Sequence, residues 1–122
     1  PLGGGKVSQG KVFIGAALKT TGSEISFQHL NPGEGSAFLH SHKQHEELYI
    51  IVKGKGEYQV DGEVFPISEG SVIRVAPDGM RALRNNGTEP MVMICMQYKA
   101  GSFGKDDDII TDGNISDAPV KW

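Results

Sequence analysis

Short apolar runs recur along this chain about every eight to twelve residues, each closed by Gly, Pro, Asn or Asp, a spacing that suits the strands of a sandwich or barrel. Strands are expected near Val12–Leu18, Glu24–Leu30, Ser36–His42, Glu47–Lys53, Gly56–Val60, Glu63–Ile67, Ser71–Val75, Arg81–Asn85 and Met91–Lys99. Asp61-Gly62 is a two-residue turn of the kind that permits positive φ, and Gly54-Lys55-Gly56 reads as a second tight reversal, so two successive hairpins are expected. Glycine supplies 17 of the 122 residues, about twice its usual ~7% share, and helix formers never run together for long. The reading is a single all-β domain.

Alternation sharpens it. In Glu47-Leu48-Tyr49-Ile50-Ile51-Val52, a period of two places Glu47, Tyr49 and Ile51 on one face and Leu48, Ile50 and Val52 on the other. Both faces are largely apolar, so one faces a lumen and the other is covered by another sheet, a terminal segment or a partner subunit, and a homodimer is expected. Residues 1–10, opening Pro1-Leu2-Gly3-Gly4-Gly5 without an initiator Met, are expected to be disordered or an expression scar. Residues 11–100 form the barrel, and 101–122 a polar, Asp-rich tail that packs on it by docking Trp122 over an open edge.

With 38% hydrophobic residues and a formal charge of −3, neither the disordered nor the polybasic class fits, and nothing recruits nucleic acid or an acidic membrane. The single cysteine, Cys95, cannot close an internal disulfide, and no apolar stretch is long enough to span a bilayer, so a cytoplasmic protein is expected. Cys95 lies in the interior-strand run Met91 to Met96 and reads as a packed thiol.

Chemistry concentrates in one place. Three of the four histidines fall in His40-Ser41-His42-Lys43-Gln44-His45. On a strand, His40 and His42 point the same way, with Phe38 beside them, and Glu47 opens the next strand on its inward parity. Two imidazoles and one carboxylate with positions left open suit Fe(II), and similar sites take Mn, Ni or Zn. His45 is expected to be exposed. His29 alternates with Ile25 and Phe27, which turns it toward the interior with them as a hydrogen-bonded core or rim residue.

At these residues the chain resembles the cupins, a family of jelly-roll β-barrels, and in particular a small single-domain cupin of bacterial type. His40, His42, Glu47 and Gly54 match the second half of the first cupin motif at every spacing, although Glu34 stands where the motif's preceding Gly belongs. The second motif starts at Gly70 and ends at Asn85 in register, but Ala76 and Asp78 replace its Pro and Gly, and Arg81 stands where the family's last metal-binding histidine belongs. The resemblance implies a lumen site with His40, His42 and Glu47 as metal ligands. A guanidinium has no lone pair to donate, so Arg81 cannot be the fourth.

Two readings follow. In one, a divalent metal sits on the three residues while Arg81, with Tyr49, contacts a small anionic substrate for oxygenase, isomerase or lyase chemistry. In the other, Arg81 pairs with Glu47 in a metal-free pocket of a binding or sensory module. Two convergent imidazoles favour the first.

Overall fold

The computed structural model describes residues 6–8, 10–104 and 106–122. Among them lie nine strands: β1 (Lys6–Ser8), β2 (Lys11–Phe13), β3 (Glu24–Leu30), β4 (His45–Lys53), β5 (Lys55–Val60), β6 (Glu63–Ser68), β7 (Val72–Val75), β8 (Arg81–Arg84) and β9 (Met91–Lys99). They form two antiparallel sheets, one in the order β1-β2-β3-β9-β4-β7 and one in the order β6-β5-β8. Strand β4, between β9 and β7, exposes Leu48, Ile50 and Val52 more than the buried Glu47, Tyr49 and Ile51, as the period of two requires. Between the sheets the core gathers Leu30, Tyr49, Ile51, Tyr58, Ile67, Val75, Leu83, Met91, Met93 and Cys95. Full burial of each large apolar side chain stabilises by about 1.5–3 kcal/mol.

The turn chemistry is borne out at Asp61-Gly62, where both residues take positive φ (51° and 85°) and join β5 to β6 in a hairpin. Gly54 does something else. It also has positive φ, but β4 and β5 belong to different sheets, so the expected second hairpin is a crossing between layers. The backbone of Pro90 and Met91 approaches Gly54 so closely that an added Cβ would stand 2.5 Å from the Pro90 carbonyl oxygen.

Other expectations are corrected. The strand expected over 12–18 stops at Phe13, and Gly15–Leu18 form a single helical turn, α1, closed by Lys19 in the left-handed conformation. Lys6–Ser8, expected to lie outside the fold, pair with β2 as β1, while residues 1–5 fall outside the described residues. Ser36–His42 is not a strand. The stretch from Gly35 meets β8 through isolated bridges, Gly35 to Arg84 and His40 to Arg81, while Ser36 donates its amide to the Leu83 carbonyl (2.9 Å) and takes the Leu83 amide on its side-chain Oγ (3.1 Å) instead of its carbonyl.

His29 is exposed on the outer face with Ile25 and Phe27, while Ser26 and Leu30 of the same strand are buried. The inward face of β3 carries polar Ser26 and Gln28, which inverted the parity argument. The tail expected to pack on the barrel is exposed at every described residue from 101 to 122, and Trp122 is fully exposed. Its apolar residues Phe103, Ile109, Ile110, Ile115, Val120 and Trp122 are all exposed.

Candidate metal and ligand site

Backbone bonds to the opposite strand aim the two histidines. His40 exchanges amide and carbonyl with Arg81 (3.2 and 2.9 Å), and the His42 amide donates to the Pro77 carbonyl (2.7 Å). The imidazoles meet edge to face with centroids 5.2 Å apart, above the start of β4. The sequence reading's convergence therefore holds although the segment is irregular. His42 Nε2 lies 3.3 Å and His40 Nε2 3.8 Å from Glu47 Oε1, and one ligand atom from each of the three residues falls within 4.8 Å of the others.

Glu47 is buried and heavily bonded. Its Oε1 accepts from Tyr49 Oη (3.0 Å) and Arg81 Nη1 (2.5 Å), and its Oε2 from Cys95 Sγ (3.2 Å). Burial alone would raise the Glu47 pKa; the hydrogen bonds from Cys95 and Tyr49 and the charges of His42 and Arg81 outweigh it and hold the carboxyl below its ordinary value. Burial lowers the His40 pKa, against the pull of Glu47. Burial also pushes the Tyr49 hydroxyl up and the Cys95 thiol up to about 12, so both remain protonated donors.

Arg81 is only 1% exposed. Its Nε donates to the Gly79 carbonyl (3.0 Å), and its Nη2 to the carbonyls of Ala76 (2.7 Å) and Pro77 (3.0 Å). The guanidinium expected to hold a substrate anion is thus turned onto Glu47 and three carbonyls of the protein itself. Tyr49, the other expected substrate contact, hydrogen-bonds Glu47 and presents its ring to a neighbouring cavity. His45 is exposed as expected, with Nδ1 2.8 Å from Gln97 Oε1.

The three residues fit a cation. His42 Nε2 is buried without a hydrogen-bond partner, 3.3 Å from Glu47 Oε1, and an imidazole nitrogen beside a carboxylate oxygen is a donor pair of the kind a divalent cation takes. Arg81 opposes the fit, since a second positive charge beside Glu47 is repelled where screening is poor.

Two cavities open beside the cluster. One, of about 320 Å³, is lined by residues including Lys11, Gln28, Phe38, His40, Tyr49 and Arg81. The other, of about 250 Å³, reaches Phe13, His42, Glu47 and Gln97 and shares Lys11, Phe38 and His40 with the first. Lys11, Gln28 and Gln97 escaped the sequence reading. Gln97 continues the inward parity of Met91, Met93 and Cys95, which could have found it; Lys11 lies one residue before the strand expected from Val12.

Two facing antiparallel sheets with histidines and a glutamate at the lumen mouth define a jelly-roll barrel protein with an internal site. The cupin domain family matches residues 26–97, and the chain belongs to that family. Over 67 residues it is 31% identical to a protein of Methanocaldococcus jannaschii, a stretch covering 55% of this chain and only 54% of the archaeal one. The crystal structure of a cupin protein from Bacteroides fragilis is similar at 40% identity and a TM-score of 0.82, over 91% of this chain and 93% of that one. A sugar phosphate isomerase of the cupin superfamily from Silicibacter pomeroyi superposes with a TM-score of 0.66 over 75% of this chain and 60% of that one. At 19% identity that likeness shows the fold alone.

Proposed function

We propose that this cupin binds a small anionic molecule in its lumen beside a divalent transition metal held by His40, His42 and Glu47. The observation that carries the reading is the convergence of one donor atom from each of the three residues, with His42 Nε2 making no hydrogen bond of its own. When bound, an Fe, Mn, Ni or Zn ion would act as a Lewis acid toward a carboxylate, carbonyl or enediolate oxygen, chemistry that suits an oxygenase, isomerase or lyase. The chain's own residues set the conditions. His40 Nε2 faces Glu47 Oε1 at 3.8 Å, Tyr49 and Cys95 hold the carboxylate in place, and Phe38 and Tyr49 wall the cavity beside it. Elemental analysis of protein purified without added metal should find close to one transition-metal ion per chain, lost when His40 and His42 are both changed to Ala. Metal-free protein that takes up nothing on titration would defeat the ligand assignment.

One observation favours a second reading. The buried pair of Arg81 and Glu47 places the protein's own cation on Oε1, as a metal-free binding or sensory module would have it. Such a module would bind small anions equally well with and without added metal.

We also propose a homodimer of a cytoplasmic protein. Val12, Phe27, Ile94, Ile50 and Val72 stand in register across five strands on the outer face of the larger sheet, and Val72 is 62% exposed. The described residues of the tail are all exposed and bury nothing on that row, and a second copy pairing the same face is the occupant assigned to it. Light scattering at micromolar concentration should give twice the chain mass, and Val72→Lys should shift it toward the monomer. A monomeric wild type would contradict the assignment. Among the described residues no helix is long and apolar enough to cross a membrane.

A further inference from the structure

Arg81 is committed to the protein, so a ligand's negative charge needs another partner. Lys11 is placed to be one. The register of β2 on β3 sets Lys11 opposite Gln28, on the face that looks into the lumen, and Lys11 lines both cavities at the place where they meet beside Phe38 and His40. Its ammonium lies 5.9 Å from the centroid of the Tyr49 ring, within range of a cation–π contact that holds a long, flexible side chain over the cavity wall. Among the described residues no carboxylate pairs with it: the only carboxylate lining either cavity, Glu47, is bonded to Arg81, Tyr49 and Cys95.

We propose that Lys11 is the residue that fixes the anionic group, a carboxylate or a phosphate, of the molecule occupying the lumen mouth. This rests on the reading that the lumen takes a small anion, and it moves the anchoring charge from the second motif to β2. An ammonium is a compact point charge with three donors, so it accepts either anion and sets no planar geometry. The anion would lie between Lys11 and His40, with the remainder of the molecule extending along Phe38 and Tyr49 toward Gln28, or past Glu47 toward Gln97.

The test titrates the full chain, as purified, with inorganic phosphate and separately with malonate, following side-chain and backbone resonances by NMR. The wild type should show saturable shifts centred on Lys11, Phe38 and His40. Lys11→Met should bind both probes about tenfold more weakly or worse, and Lys11→Arg should restore most of the affinity. A preference for one probe assigns the anion as carboxylate or phosphate. Equal affinity in Lys11→Met, saturable shifts centred elsewhere, or no saturable binding by the wild type would each overturn the proposal. Uptake of Ni(II) is measured alongside on the same proteins. If Ni(II) fails to bind while Lys11→Met still loses the anions, the metal reading falls and the Lys11 assignment stands; Ni(II) uptake by Lys11→Met shows that the neighbouring residues are still in place.

Discussion

The two halves of the lumen site, the stretch from Gly35 to Gly54 and the stretch from Gly70 to Asn85, do opposite things. The first delivers three potential ligands to one point through an irregular segment and the opening of β4. The second delivers a guanidinium to the same point and surrounds it with the carbonyls of Ala76, Pro77 and Gly79. One half gathers donors that could hold a cation, and the other places the protein's own cation against them. The lesson is that a single departure from a ligand set can convert a ligand into a competitor for the carboxylate that remains.

Replacing Arg81 with Met should break the comparison most severely. It leaves Glu47 buried without its counter-charge and three carbonyls without a donor, which costs about 3–5 kcal/mol. Thermal unfolding of the metal-free chain should fall by roughly 10 °C or more. A shift within about 2 °C would mean that the pair is incidental to the fold.

Tyr49→Phe keeps the ring in the core and removes one donor to Glu47, so denaturant unfolding should show a loss of about 1.5–3 kcal/mol. No loss would place the hydroxyl outside the network. Cys95 probes the same carboxylate from its other oxygen. With its thiol pushed up to about 12 by burial, almost no thiolate exists at pH 8, and alkylation should stay slow until the chain unfolds. Fast alkylation of folded protein would contradict the packing of Cys95 against Glu47. The smallest effect is expected outside the lumen: His29→Ala, on the outer face, should change stability by no more than about 0.5 kcal/mol and leave metal uptake unchanged.

Most of this architecture was legible before the structure, because alternation and turn chemistry are local. The strands from β3 to β9 lie within a few residues of their expected positions, and His40, His42 and Glu47 come together as expected although the segment carrying the histidines is not the strand that the alternation argument assumed. What escaped depends on which way a face looks. Parity with Ile25 and Phe27 points His29 inward only if apolar residues take the interior, whereas the inward face of β3 carries Ser26 and Gln28, the latter lining a cavity, and leaves Ile25, Phe27 and His29 for the outside. Lys11 was missed for the same reason, since a lysine at a strand end reads as solvated. The run at 12–18 was ambiguous because Gly15-Ala16-Ala17-Leu18 suits one helical turn as well as a strand. Arg81 could be named as a departure, but not whether it faced a ligand or Glu47, because that depends on carbonyls brought in by Ala76, Pro77 and Gly79.

The competition at Glu47 is tested most directly by calorimetric titration of wild type and Arg81→His with Ni(II) under identical conditions. Arg81→His removes the guanidinium and supplies an imidazole in its place. The predicted result is one ion per chain in both proteins, bound about tenfold more tightly or better by Arg81→His. Equal affinities in the two proteins would contradict the account, because Arg81 would then have no hold on the carboxylate that the metal needs.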